Sequence, residues 1–146
     1  MITVKRFKEI INSCPDDNWT IIFRKWEHIS STPDGPYKGY KGFRNVVGVK
    51  IVNILDRTND IDGNIIRTII VKDDIDDNID DNLTLIGSPN EIIEKIIYFL
   101  KDNDCITFNL QVEETPGHLD LIPLQDVEII DYGYLDKVML IGVDEF

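Results

Sequence analysis

The sequence has no alanine, only two cysteines and no long run of apolar residues. We attribute the missing alanine, and the heavy use of isoleucine, asparagine and aspartate, to an AT-rich bacterial, phage or large-virus genome rather than to a structural requirement. Cys14 and Cys105 are too few and too far apart for a disulfide framework, which predicts two buried free thiols. No stretch approaches the roughly 20 apolar residues of a membrane helix, and the chain shows no leader with a basic start and an apolar centre. We therefore expect a cytoplasmic protein that does not contact a membrane.

Histidine is scarce as well, which disfavours both metal binding and catalysis. Zinc sites need several ligands at close spacing, but neither His28 nor His118 has such partners in the sequence. His118 and Asp120 would share one face of a strand, and a histidine held by an acid is half of a proton-transfer pair. No serine or cysteine lies in the sequence context of a nucleophile, however. We therefore predict a surface histidine in a turn, no catalytic residue, no metal and no cofactor, with an enzyme using His118 and Asp120 as the third hypothesis.

A chain of 146 residues is long enough to bury a sizeable core, and we expect residues 1–146 to form a single domain. Residues 46–71 contain two runs rich in valine and isoleucine, which lose rotamer freedom in a helix but pack well in a sheet. Asp60, Asp62 and Gly63 lie between the two runs, and these residue types favour turns. The stretch predicts a long β-hairpin in the middle of a sheet.

Two amphipathic helices are predicted, one on each side of this hairpin in the sequence. The first covers residues 3–12 with Thr3 as its N-cap, and the second covers residues 88–103 and opens with a Ser-Pro-x-Glu capping box. Further strands are predicted, from their apolar or alternating patterns, over residues 19–25, 105–113, 127–131 and 137–143. The predicted fold class is therefore α+β: a mixed or mainly antiparallel sheet built around the hairpin, with two helices packed on it.

The formal net charge of −12 is distributed unevenly along the chain. Residues 1–50 contain nine basic and five acidic residues, a balance of +4, whereas residues 51–146 contain six basic and twenty-two acidic residues, a balance of −16. Such a chain is not expected to bind nucleic acid in general, because that affinity comes from cations that neutralise phosphates. Our first hypothesis is a non-enzymatic inhibitor that binds a basic protein partner, such as a toxin or nuclease, as an immunity protein or a phage or viral anti-defence protein does. The predicted partner-binding residues are Asp73, Asp74, Asp76, Asp77, Asp80 and Asp81.

The second hypothesis belongs to a different class and concerns residues 24–44, where cations alternate with aromatic residues and glycines. Aromatic rings can stack on a base while cations hold phosphates, so this stretch would suit a small anionic ligand such as a nucleotide. It lacks the Gly-Lys-Ser/Thr ending of a P-loop and is followed by a predicted strand rather than a helix. The predicted ligand-binding residues are Arg24, Lys25, Trp26, Tyr37, Lys38, Tyr40, Lys41 and Arg44.

Oligomeric state depends on where the last predicted strand lies. Residues 137–143 are almost wholly apolar, and an edge strand of this kind would offer unpaired backbone groups to another chain. An edge position would favour a symmetric homodimer, whereas a central position would leave the chain a monomer. The sequence is compatible with both.

Overall fold

The computed structural model describes residues 1–26, 46–73, 85–124 and 127–143, which form a mixed β-sheet and two helices. This agrees with the predicted α+β class. The helices are α1 (Val4–Asn12) and α2 (Pro89–Ile97). The strands are β1 (Ile2–Thr3), β2 (Thr20–Trp26), β3 (Val46–Thr58), β4 (Ile65–Asp73), β5 (Ile86–Gly87), β6 (Cys105–Thr115), β7 (His118–Pro123), β8 (Glu128–Gly133) and β9 (Val138–Gly142).

The strands follow the order β1-β6-β4-β3-β2-β9-β8, with β7 pairing to β6 and β5 pairing to β2. Two neighbouring pairs are parallel, β4 with β6 and β2 with β9, and the remaining pairs are antiparallel. In the middle of this order, β3 and β4 pair from Val49 opposite Asp73 to Thr58 opposite Ile65, with one irregularity between Ile51 and Asn53. Residues 59–64 turn between them.

Both helices begin where their capping residues predict. The Thr3 side chain accepts a hydrogen bond from the Arg6 backbone N–H, and Ser88 and Glu91 form a reciprocal capping box at α2. The end of α2 was predicted too late, because the helix stops at Ile97 rather than near residue 102. Tyr98 leaves helical geometry and Phe99 adopts a left-handed backbone with φ 66°, which a repeating helix does not tolerate.

One face of the sheet is covered by the helices and forms the core. A row of three phenylalanines runs through it, from Phe7 of α1 to Phe23 of β2 to Phe108 of β6, with ring centroids about 6 Å apart. Each of these side chains is almost fully buried. Since side chains alternate along a strand, the residues next to these buried positions lie on the opposite face, which we call the outer face.

The last strand, β9, lies inside the sheet, between β2 and β8. Its apolar character is therefore explained by a central position, and residues 137–143 do not form the exposed edge that would have favoured a homodimer. Neither α1 nor α2 has the length of a membrane-spanning helix, and no other helix occurs among the described residues.

Candidate functional site

The two segments predicted to bind a partner or a ligand are anchored at the same end of the sheet. Trp26, the last residue of β2, is paired with Val46, the first residue of β3, so residues 27–45 begin and end at that point. Residues 74–84 begin after Asp73, which pairs with Val49, and end at Leu85, whose backbone N–H donates to the Val49 carbonyl. We call this end of the sheet the loop end, and the opposite end, at residues 59–64, the turn end.

Most of the predicted site residues lie outside the described part of the chain. These are Asp74, Asp76, Asp77, Asp80 and Asp81 of the acidic run, and Tyr37, Lys38, Tyr40, Lys41 and Arg44 of the basic aromatic loop. For Asp73, Lys25 and Trp26 the strand backbone is described but the side chains are not. Arg24 is thus the predicted site residue whose side chain can be examined.

Arg24 lies on the outer face, because its neighbour Phe23 points into the core with only 1% of its surface exposed. On one side Arg24 is paired with Gly48 of β3, and on the other with Gly142 of β9. Neither glycine has a side chain that would fill the outer face beside the arginine. The Nε atom of Arg24 is buried and has no hydrogen-bond partner, which leaves one strong donor of a charged group unused.

Two lysines lie beside Arg24 on the same face. Lys50 of β3 and Lys72 of β4 are directly opposite each other in the antiparallel ladder. Their neighbours Val49 and Val71 are buried in the core, so both lysine side chains belong to the outer face. Like charges in this position repel each other and destabilise the pair.

Among the acidic residues whose side chains are described, none lies on the outer face beside these three cations. The described outer-face side chains of β4, β6 and β7 are apolar, hydroxyl or amide groups apart from Lys72 and the Cys105 thiol, and for Glu113 of β6 and Glu128 of β8 only the backbone is described. The ion pairs of the described chain are Arg6–Glu9, Lys8–Asp102, Arg67–Asp56 and His118–Asp120, and none includes Arg24, Lys50 or Lys72.

The buried charged residues at the turn end, in contrast, have structural partners. Arg67 donates two hydrogen bonds to the two oxygens of Asp56, at 2.8 and 2.9 Å, and its Nη1 donates to the carbonyls of Ile96 and Tyr98 at the end of α2. These hydrogen bonds from Arg67 hold the pKa of the Asp56 carboxyl below its ordinary value. Asp104 accepts hydrogen bonds from the backbone N–H groups of Ile65 and Lys101.

The remaining candidates for chemistry do not assemble into a catalytic site within the described residues. His118 begins β7 instead of lying in a turn, and its Nε2 lies 3.3 Å from an Asp120 oxygen, with 70% of the histidine side chain exposed. Both cysteines are free, but only Cys14 is buried as predicted, because Cys105 is partly exposed. Burial raises the pKa of the Cys14 thiol, which disfavours the reactive thiolate. No group of three or more potential metal ligands occurs in this part of the chain.

Sequence reasoning identified Arg24 but did not single out Lys50 or Lys72. The three residues are separated by 26 and 22 positions, and only the pairing of β2, β3 and β4 brings them to one face. The available signal was the position of each cation beside a buried valine or phenylalanine. That pattern fixes the face of a strand, but not which strand lies next to it.

Comparisons with protein-family models, with curated proteins and with solved structures give no match for this chain. The functional interpretation therefore depends on its own charges and geometry. Among the described residues at the loop end, the outer-face cations would attract an anion, and the acidic run stays a predicted partner site.

Proposed function

We propose that the protein is a non-enzymatic acidic binding protein that inhibits a basic protein partner, of the toxin-immunity or phage or viral anti-defence type. The observation that supports this proposal is the balance of −16 over residues 51–146, with six aspartates in the nine residues 73–81. The run begins at Asp73, whose backbone is still part of β4. The acidic segment is thus attached directly to a rigid strand rather than to a long linker.

The charge supports binding in two ways. Long-range attraction between an acidic and a basic surface speeds their encounter, and it weakens as salt is added. At short range, close charge pairs across an interface can couple by roughly 1.5–7 kcal/mol. A protein with this surface can block a nuclease or toxin whose own cationic cleft is built to hold a polyanion.

The experiment measures inhibition of a basic toxin or nuclease encoded next to this gene, at low and at physiological salt. Replacing Asp76, Asp77 and Asp80 by asparagine should weaken inhibition steeply and flatten its salt dependence. The matched control replaces three exposed acids elsewhere, Asp60→Asn, Glu94→Gln and Asp136→Asn, which changes the net charge equally. Equal loss in both variants would mean that only the total charge matters, and unchanged inhibition in the first would exclude the acidic run.

A second candidate function is the binding of a small anionic ligand such as a nucleotide at residues 24–44. It is supported by Arg24, whose Nε has no partner and whose neighbours on both adjacent strands are glycines. A thermal-shift screen against nucleotides tests it, because a ligand at 100 times its dissociation constant stabilises the folded state by about 2.7 kcal/mol. If no nucleotide raises the melting temperature of the protein, this function is excluded.

A further inference from the structure

We infer that Arg24, Lys50 and Lys72 together form a binding site for the phosphate group of a small ligand on the outer face of the sheet. This inference rests on the second candidate function, but it places the anion-binding site on strands β2, β3 and β4 instead of in the basic aromatic loop. It assigns a binding role to two lysines that lie outside residues 24–44.

The register of the sheet brings the three cations together. Lys50 and Lys72 are directly opposite each other, a separation of roughly 5 Å between Cβ atoms in such pairs. Arg24 pairs with Gly48, which precedes Lys50 by two residues on the same face, so Arg24 and Lys50 are diagonal neighbours. A diagonal pair of this kind is separated by roughly 7–8 Å, within reach of two long side chains. Lys72 is one strand further from Arg24 than Lys50 is, about 5 Å more, and the long side chains of arginine and lysine can span this separation to approach one anion of the size of a phosphate.

Arg24 supplies the site with a charged hydrogen-bond donor that is not used within the protein. The buried Nε of Arg24 has no acceptor, and an unused donor of this kind is destabilising unless a ligand satisfies it. Gly48 and Gly142, which pair with Arg24 on the two adjacent strands, place no side chain on the outer face beside the arginine. Arginine and lysine are the usual protein partners of phosphate, arginine as a planar fork of donors and lysine as a point charge.

The placement of the lysines has no structural explanation among the described residues. Opposed lysines destabilise a sheet, and no ion pair of the described chain neutralises either of them. A bound dianion would convert this repulsion into attraction. Charges more than about 8–10 Å away are largely screened at physiological salt, so the part of the net charge of −12 that opposes binding is the part near the site, such as Asp73 directly after Lys72.

The experiment titrates the full chain with inorganic pyrophosphate, and in parallel with a nucleoside diphosphate, by isothermal calorimetry. The variants Lys50→Gln and Lys72→Gln should each lower the affinity for pyrophosphate about tenfold or more, the loss typical of one charged hydrogen bond. The matched control is Arg57→Gln, because Arg57 is an exposed cation on the same face of β3, at the turn end. The Arg57→Gln variant removes the same charge far from the site and should change the affinity less than twofold.

The two ligands separate the contribution of the phosphates from that of the nucleoside. Equal affinity of the wild-type protein for both ligands would show that the phosphates supply the binding. Tighter binding of the nucleoside diphosphate would show additional contacts to the base or sugar.

A triple variant of the loop, Lys38→Gln, Lys41→Gln and Arg44→Gln, separates this inference from the second candidate function. If binding is lost in the loop variant and unchanged in both lysine variants, the anion site lies in the loop and the inference is wrong, while the candidate function stands. If the wild-type protein binds neither ligand, both are wrong. Equal weakening by Arg57→Gln and Lys72→Gln would show a diffuse charge effect and would also overturn the site.

Discussion

The two ends of the β3–β4 pair use charged residues in opposite ways. At the turn end, the two buried charged side chains of the described structure, Arg67 and Asp104, have partners at short distance. At the loop end, Arg24, Lys50 and Lys72 lie on one face and form no ion pair within the described residues. The buried charges at the turn end are therefore hydrogen-bonded, whereas the three outer-face cations at the loop end have no charged partner among the described residues.

This difference separates residues that stabilise the fold from residues that are available for binding. A buried charge is tolerated only when hydrogen bonds replace its hydration, and Arg67 and Asp104 meet that condition. Opposed lysines and an unused arginine donor lower stability, so their removal is expected to cost little or to help. The four predictions that follow test this contrast, beginning at the turn end.

The largest effect is expected for Asp104→Ala. Asp104 is only 4% exposed, and its two oxygens accept backbone hydrogen bonds from Ile65 at 2.8 Å and Lys101 at 2.7 Å. Loss of both leaves two donors without a partner, and we expect the free energy of unfolding in urea to fall by about 3 kcal/mol. Asp102→Ala is the control, because Asp102 pairs with Lys8 at the surface and should cost less than about 1 kcal/mol. Similar losses in both variants would contradict the structural role of Asp104.

Arg67→Met should have the next largest effect. The arginine joins Asp56 of β3 to the carbonyls of Ile96 and Tyr98, so it fixes the end of α2 against the sheet. Methionine preserves much of the buried stem but none of the hydrogen bonds, and a loss of about 2 kcal/mol is expected. Arg57→Met removes an exposed arginine from the outer face of the same strand pair and should leave the urea midpoint nearly unchanged. A large loss of stability in the Arg57 variant would contradict the expected difference between a structural arginine on the core face and an exposed arginine on the outer face.

The sequence predicted the elements of this fold better than it predicted their partners. Local signals were sufficient for the N-termini of both helices, because a cap lies within three residues of the group it satisfies. The end of α2 was predicted too late because its cause is distant: Arg67 contacts its last turn from a strand some 30 residues earlier. Asp104 was overlooked for a similar reason, since its neighbours Asp102 and Asn103 resemble an exposed polar turn.

The candidate site shows the same limit of sequence reasoning. Arg24 could be identified from its sequence neighbours, whereas the pairing of Lys50 with Lys72 depends on register. Register is set by the whole hydrophobic pattern and the turn, so a shift of one residue would place the lysines on opposite faces. The predicted acidic run and basic loop lie outside the described residues, and their roles stay predictions.

The stability of the turn end also depends on pH, because Asp56 is ionisable. Its pKa is lowered in the folded state, so its contribution to stability is fully present above the unfolded value of about 3.9 and is lost as the pH falls through the folded value. The Asp56 side chain is 42% exposed, and the contribution is therefore expected to be about 1 kcal/mol or less. Urea unfolding should show Asp56→Asn to be less stable than the wild-type protein near neutral pH, with the difference shrinking below about pH 4. A difference that is constant with pH would mean that the ion pair with Arg67 does not stabilise the fold.

The smallest effect is expected at the loop end, and it has the opposite sign. Lys50→Gln removes one of two opposed cations while it keeps a side chain of similar reach, so relief of repulsion should raise the free energy of unfolding by about 0.2–0.5 kcal/mol. The gain should shrink at high salt, because screening already weakens the repulsion in the wild-type protein.

The double variant Lys50→Gln, Lys72→Gln is the control. Once one lysine is replaced, replacing the second should add almost nothing to the free energy of unfolding, since no opposed charge is left. Equal and additive gains would mean that each lysine interacts with other charges rather than with its neighbour. A loss of stability in the single variant would show that Lys50 supports the fold, as Arg67 does at the turn end.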